Sequence, residues 1–276
     1  MPTIAYLGPE QTNTHVAALT RFGRRATYVH APTVEDVFRL VEREEADSGV
    51  VPIENSLEGA VTHTLDRFLN FKQSPVTIHG EVEQLIHHCL IVHPGTKLDQ
   101  INAVWSHPQA LAQCSRWLNQ SLPYATRRET NSTADAVGSL LHDKNTTRRA
   151  AIGRKELARE HQLRAIPIPD HRENKTRFLI VALGAAKRGT CNKTAILFSL
   201  KDRPGALYDA LMPFKKEKIN LTKIESRPSK QKAWEYYFFI DLEGHESEPR
   251  VRRALKALER STLLLRILGS YPMSNT

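Results

Sequence analysis

The chain has 276 residues, 40% hydrophobic and 25% charged, which is too long for one ordinary core and suits roughly two domains of a water-soluble protein. No apolar run approaches the ~20 residues needed to cross a bilayer, since 178–186 is short and 263–268 carries Arg266, so no membrane association is expected. The net charge of +9 is scattered, and clusters such as Arg127-Arg128 and Lys215-Lys216 lack interleaved aromatics; a solvated basic surface that draws in a small dianion fits better than nucleic-acid binding.

The first residues, Met-Pro-Thr-Ile-Ala-Tyr, show neither a basic leader nor a small-residue cleavage site. Cys89, Cys114 and Cys191 are odd in number and far apart, giving no disulfide framework and no CxxC signature. Both points lead to the expectation of a reducing, cytoplasmic compartment.

Taken in order, 3–7 reads as a strand, 15–22 and 33–44 as helices and 48–53 as a strand, an alternation that implies parallel βαβ units. A second lobe follows, with strands near 83–92, 103–106 and 150–152 and helices at 108–119, 133–142 and 155–160. One more apolar strand, 176–182, returns to the first lobe and makes a hinge. After a linker at 187–192 the pattern becomes strand 194–200, helix 205–216, strands 220–227 and 234–243, helix 249–259 and strand 263–268, a ferredoxin-like βαββαβ unit in which Pro213 is expected to kink or shorten its helix.

Four segments carry candidate chemistry. Gly8-Pro9-Glu10-Gln11-Thr12-Asn13-Thr14-His15 joins a strand to a helix, where free N–H groups either hold a carboxylate or are simply capped by Thr12 or Asn13. Glu54-Asn55-Ser56-Leu57-Glu58-Gly59 packs more polar groups between strand and helix than a connection needs; they either point donors into a cleft or satisfy one another in a turn. Ser106 and Gln109 have capping-box spacing, as do Ser132 and Asp135, with Thr133 between the latter; Gln113, one turn beyond Gln109, escapes that explanation and points toward the mouth of a cleft. In Asn174-Lys175-Thr176-Arg177-Phe178 an extended backbone sends Thr176 and Phe178 one way and Arg177 the other. His87, His88 and His93 lack ligand spacing, so no metal is expected.

The order of these blocks resembles the prephenate dehydratase family along the whole chain: the Gly-Pro turn, Glu54-Asn55-Ser56 with Gly59, Ser106-His107-Pro108-Gln109-Ala110 with Gln113-Cys114, Ser132-Thr133-Ala134, and Thr176-Arg177-Phe178. Gln11, Asn13 and Thr14 stand where the family has Gly, an aromatic and Ser, so Gln11 lacks the backbone freedom of glycine. Asp202-Arg203-Pro204-Gly205-Ala206-Leu207 and Asn220-Leu221-Thr222-Lys223-Ile224-Glu225-Ser226-Arg227-Pro228 are similar to the ACT regulatory domain, the second run resembling its phenylalanine-binding signature. The resemblance implies an α/β fold, with a two-lobed, periplasmic-binding-protein-like catalytic domain over 1–186 (lobe one 1–76 plus 171–186, lobe two 77–170) and a ferredoxin-like ACT domain over 193–276, in the monofunctional form without a fused chorismate mutase.

It also implies a reaction, the conversion of prephenate to phenylpyruvate with loss of carbon dioxide and water and without a cofactor. Thr176 would donate to the departing hydroxyl, while Asn55, Ser106 and Gln113 orient the substrate. Thr12, Thr14, Glu54, Ser56, Gly59, Ser132, Thr133, Arg177 and Phe178 would help to bind it. Phenylalanine would sit between paired ACT domains of a homodimer or homotetramer, held by Gly205, Ala206 and Leu207 and by Asn220, Leu221 and the segment Glu225, Ser226, Arg227, Pro228. Arogenate dehydratase is the neighbouring alternative, and a non-catalytic amino-acid sensor the more distant one.

Overall fold

The computed structural model describes residues 1–69, 74–142, 148–171, 173–229 and 235–274. In the first lobe, β1 (Thr3–Leu7), α1 (Asn13–Phe22), β2 (Thr27–Ala31), α2 (Val34–Glu42), β3 (Ser48–Asn55), β4 (Gly59–Ala60), α3 (Thr62–Leu69) and β5 (Val76–Leu85) follow one another. Helix α2 shows why: Thr33 caps it by accepting from the Asp36 N–H at 3.1 Å, and Val34, Val37, Phe38 and Val41 fall on one face, which buries against the sheet.

The second lobe holds β6 (Cys89–Val92), β7 (Ala103–Ser106), α4 (Pro108–Gln113), α5 (Ser115–Ser121), β8 (Thr126–Glu129), α6 (Thr133–Leu141), β9 (Arg149–Gly153), α7 (Lys155–Glu160) and β10 (Arg164–Pro167). The chain then returns through β11 (Lys175–Leu183), which lies between β3 and β5 in the first sheet, ordered β2-β1-β3-β11-β5 with β4 on β3. The second sheet runs β10-β6-β9-β7-β8.

Residues 83–92 are therefore not one strand. β5 belongs to the first sheet and β6 to the second, with the crossing at Ile86-His87-His88, so the sheet boundary between lobes falls about ten residues later than the expected 76/77 division. The expected helix 108–119 is likewise two short helices meeting at Cys114.

The C-terminal unit is β12 (Asn192–Ser199), α8 (Ala206–Lys216), β13 (Leu221–Pro228), β14 (Tyr236–Glu243), α9 (Pro249–Glu259) and β15 (Leu264–Pro272), a fully antiparallel sheet in the order β13-β14-β12-β15. The expected start of β14 at Trp234 lies outside the described residues, and α8 runs on through Pro213. Alternation along β12 decides its packing. Ile196 and Phe198 meet α8 and α9, whereas Ala195 and Leu197 join Ile53, Leu65, Phe68, Ile78 and Leu179 of the first lobe in a shared apolar core. Contact there is close enough that a Cβ on Gly269 of β15 would lie 2.2 Å from the Ile78 carbonyl oxygen. No helix among the described residues is long and apolar enough to cross a membrane.

Candidate active site

The hinge is made of two crossings, the outgoing one at Ile86-His87-His88 and the returning one that leads through Asn174 into β11; the Ile86 N–H donates to the Asn174 carbonyl at 2.7 Å and the Ile168 N–H to the His88 carbonyl at 3.0 Å. Antiparallel pairing of β11 with β3 sets Thr176 opposite Asn55 and Arg177 opposite Glu54, while Phe178 is opposite Pro52. One residue, Ile53, is thus extra in β3. Without this bulge, regular alternation would set Glu54 against Thr176; with it, a neutral amide meets the hydroxyl and the carboxylate goes to the other side of the sheet.

Hydrogen-bond directions around Thr176 follow from one fixed point. The backbone N–H groups of Leu57 and Glu58 can only donate, and both go to Asn55 Oδ1, at 2.9 and 3.3 Å. Asn55 Nδ2 must then be the donor end, and it serves Asn174 Oδ1 at 2.8 Å and Thr176 Oγ1 at 2.9 Å. Asn174 Nδ2 donates in turn to Gln113 Oε1 at 2.9 Å, and Gln113 Nε2 donates to the Glu58 carboxylate at 2.7 Å. The other partner of Gln113 Oε1 is His88 Nε2 at 2.8 Å, which must therefore carry its proton.

Two consequences matter chemically. All four hydrogen-bonding valences of Asn55 are used within the protein, so it holds Thr176 in place and has none left for a ligand. Thr176 accepts from Asn55, and its own O–H proton is directed elsewhere; accepting one bond polarises a hydroxyl toward donating another. Thr176 is half-buried, Asn55, Asn174 and Gln113 are buried, and Glu58 is exposed on its turn. Burial first lowers the His88 pKa, partly countered by its bond to Gln113, which keeps the ring neutral near pH 7.

The lobes also meet at the first turn. Gln11 adopts φ +64°, the conformation that glycine takes freely, with its N–H on His15 Nδ1 at 3.0 Å and its carbonyl accepting from Arg154 at 2.8 Å. Its side chain reaches Glu160 of the second lobe at 2.6 Å. Burial lowers the Arg154 pKa, and its Nε has no hydrogen-bond partner.

Several expected site residues are placed elsewhere. Ser106 is fully buried and donates to the Ile152 carbonyl at 2.9 Å, tying β7 to β9, while His107 caps α4 in its stead. Phe178 is buried in the core with Ile4, Tyr6 and Val50. Arg177 turns away from Thr176 and bonds Asp241 of β14 at 2.6 Å, Glu81 at 3.0 Å and Glu54 at 2.9 Å. Lys193 completes Glu81 at 2.7 Å and Lys223 completes Glu54 at 3.1 Å. Burial would lower the Arg177 pKa, but Asp241, Tyr271 and Glu81 reverse this and raise it; burial would raise that of Glu54, but Lys223 and Arg177 lower it.

Ser56 pins the returning crossing, donating to the Glu173 carbonyl at 3.2 Å and accepting from the Lys175 N–H at 2.9 Å, and Gly59 makes its turn at φ +81°. Thr12 caps α1, Thr14 is buried in that helix, and Ser132 caps α6 just ahead of Thr133. His88, Asn174 and Glu58 are the members that sequence reasoning missed; Asn174 and Glu58 sat inside segments already singled out, and His88 had been weighed only as a metal ligand.

In the C-terminal unit, a cavity of about 540 Å³ takes in Ala206 and Leu207 beside Asp202, Tyr236 and Phe238. Gly205, at φ +76°, precedes α8. None of the residues from Asn220 to Pro228 lines that cavity: Asn220 bonds Glu243 at 3.0 Å, and β13, from Leu221 through Glu225, Ser226 and Pro228, is an edge strand whose Arg227 bonds Asp66 of α3 at 2.8 Å.

Two α/β lobes hinged on a strand pair, with a polarised hydroxyl in the crease and a βαββαβ sandwich packed behind it, define a two-lobed clamp with an appended ferredoxin-like domain. The chain belongs to the prephenate dehydratase family of lyases: the family model described as prephenate dehydratase matches residues 4–185, and that described as ACT domain matches 194–260. It is 48% identical over 271 residues to the bifunctional chorismate mutase/prephenate dehydratase of Aquifex aeolicus, covering 98% of this chain and 73% of that one. With the prephenate dehydratase of Methanocaldococcus jannaschii it shares 42% identity over 246 residues, 87% of this chain and 86% of the other. The structure of a prephenate dehydratase from Arthrobacter aurescens in complex with L-Phe superimposes with a TM-score of 0.88 at 35% identity, covering 98% of this chain and 90% of that one.

Proposed function

We propose that the chain converts prephenate to phenylpyruvate in the cytoplasm, as a homo-oligomer joined through its ACT domains, with phenylalanine as the effector bound there. The observation that carries the catalytic reading is the bond from Asn55 Nδ2 to Thr176 Oγ1. It leaves the threonine proton as the donor at the crease. In the reaction, the bond between the ring and its carboxylate breaks, carbon dioxide leaves, the electron pair enters the ring, and the hydroxyl on the opposite carbon departs with its bonding pair to become water on gaining a proton. Thr176 is too weak an acid to surrender its proton outright near neutral pH; its donation stabilises the negative charge that develops on the departing oxygen.

Gln113 carries a second N–H beyond the one it gives Glu58, an uncharged donor contributed by the other lobe, and the Arg154 guanidinium at the first turn brings positive charge to a dianion. The family membership supports the same reaction. For the effector, the support is the ACT match and the cavity at Ala206 and Leu207, together with the open edge of β13, which a second chain would complete.

Thr176→Val is expected to lower turnover of prephenate at least about a hundredfold, the lower end of a general-acid contribution, while Thr176→Ser keeps most of it. Assays with prephenate and with arogenate, monitoring phenylpyruvate and phenylalanine separately, decide the substrate. Near-normal turnover by the valine variant would remove Thr176 from the mechanism, and product from arogenate alone would replace the substrate. Saturating phenylalanine that changes neither activity nor assembly would remove the effector.

A further inference from the structure

Gln113 is the one member of the hydrogen-bonded cluster that belongs to the second lobe's helices, and an amide presents nearly the same shape whichever way its oxygen and nitrogen are turned. Something must decide which end faces the crease. Glu58, which can only accept, takes the nitrogen end at 2.7 Å, and the oxygen end is taken from the two hinge crossings, by Asn174 on the returning one at 2.9 Å and by His88 on the outgoing one at 2.8 Å.

Resting on the reaction assigned above, we propose that His88 and Asn174 are positioning residues for the dehydration: together they occupy both acceptor directions of Gln113 Oε1 and so hold its N–H2 end toward Glu58 and the crease. A turned-over amide would set Gln113 Nε2 against the Asn174 N–H donor and Oε1 against the Glu58 carboxylate, and would oblige the His88 ring to move its proton from Nε2 to Nδ1. The arrangement also ties the orientation to lobe closure. Asn174 is buried and joins Gln113 of the second lobe to Asn55 of the first, so the hinge crossings, the substrate-facing amide and the Thr176 hydroxyl share one continuous set of bonds. His88 therefore acts through Gln113, without touching the reacting atoms itself.

The test uses the full chain and the variants His88→Phe, His88→Gln and Asn174→Asp, each first checked for cooperative unfolding. His88→Phe removes a donor, and Asn174→Asp keeps the acceptor for Asn55 while removing the donor to Gln113. Each is expected to lower kcat on prephenate about ten- to a hundredfold with a smaller change in KM, the size of effect that a slightly misplaced group produces. His88→Gln supplies an N–H of similar reach and is expected to recover most of the loss. Nitrogen-15 spectra of the His88 ring should show the Nε2–H tautomer in the wild-type chain.

Wild-type kinetics in His88→Phe, an equal loss in His88→Gln, or an Nδ1–H tautomer would each overturn the inference while leaving the dehydratase reading intact. A wild-type chain with no turnover of prephenate would instead overturn the dehydratase reading itself, a result that the variants cannot mimic.

Discussion

On the crease side of the β3–β11 ribbon Thr176 meets three amides, Asn55, Asn174 and Gln113, with a single carboxylate, the exposed Glu58, at the far end of the cluster, and they are fixed by direction, each amide having one orientation that satisfies its neighbours. One residue along each strand, on the opposite side, the carboxylates of Glu54, Glu81 and Asp241 meet the cations Arg177, Lys193 and Lys223. The charges balance, and three of the six come from the C-terminal sandwich. Neutral bonds suit a place where charge must move during a reaction, because they orient without creating a strong standing field. Ion pairs suit a place where two domains must stay together, since removing any one member leaves its partner charged and buried. A single bulge at Ile53 lets one strand serve both sides.

The sharpest way to break this contrast is to remove the cation at the centre of the ionic side. Arg177→Met leaves Glu54, Glu81 and Asp241 short of their main partner in a setting where Arg177 is 10% and Glu81 2% exposed, so it should cost about 3–5 kcal/mol of stability in urea unfolding. Thr176→Val, at the adjacent position, should cost far less, roughly the 1–3 kcal/mol of one unsatisfied N–H on Asn55. Equal losses from the two would erase the distinction between the faces.

Packing behind the ions gives a smaller effect. Because a Cβ at Gly269 would approach the Ile78 carbonyl oxygen to 2.2 Å, Gly269→Ala has to push β15 away from β5, and a cost of about 1–3 kcal/mol is expected, as for other overpacked contacts. Unfolding midpoints unchanged by this substitution would mean that the sandwich sits more loosely on the first lobe than the shared core implies.

Much of this frame could be read from the residues. The alternation of strands and helices, the return of β11 and the βαββαβ order all follow from apolar periodicity, which long buried elements display clearly. Strands whose side chains are mostly exposed gave no such signal: β8, Thr-Arg-Arg-Glu, is found only because β7 pairs with it, and β2 and β10 are similar. The family blocks pointed to Thr176, Asn55 and Gln113, and strict alternation correctly sent Arg177 away from Thr176. It could not reveal the bulge that turns Glu54 from Thr176, because a bulge depends on the partner strand. Nor could it distinguish His88 from any other histidine near a strand, since its meaning comes from Gln113, 25 positions away.

Acid offers the finest discrimination between the two faces. Burial, the largest influence on His88, lowers its pKa, as do His171 and His87, while the bond to Gln113 and the charge of Glu58 raise it; the net shift is downward from the ordinary value of 6.5. A group with a depressed pKa in the fold takes up its proton more readily when unfolded, so its contribution to stability is complete above about pH 6.5 and is lost as pH falls through that value toward the folded pKa. Burial moves His15 and His79 the same way. On the ionic face Glu54 has its pKa lowered by Lys223 and Arg177 against burial, so its contribution is complete above the ordinary carboxylate value of 4.5 and is lost as pH falls from there toward the lower folded value. Unfolding midpoints should therefore begin to fall just below about pH 6.5, and His88→Gln should flatten that part of the curve while leaving the steeper loss in stronger acid unchanged. An identical slope in wild type and His88→Gln across this first range would show that the crease tolerates a charged imidazole, and the acid sensitivity near neutrality would then belong to His15 and His79.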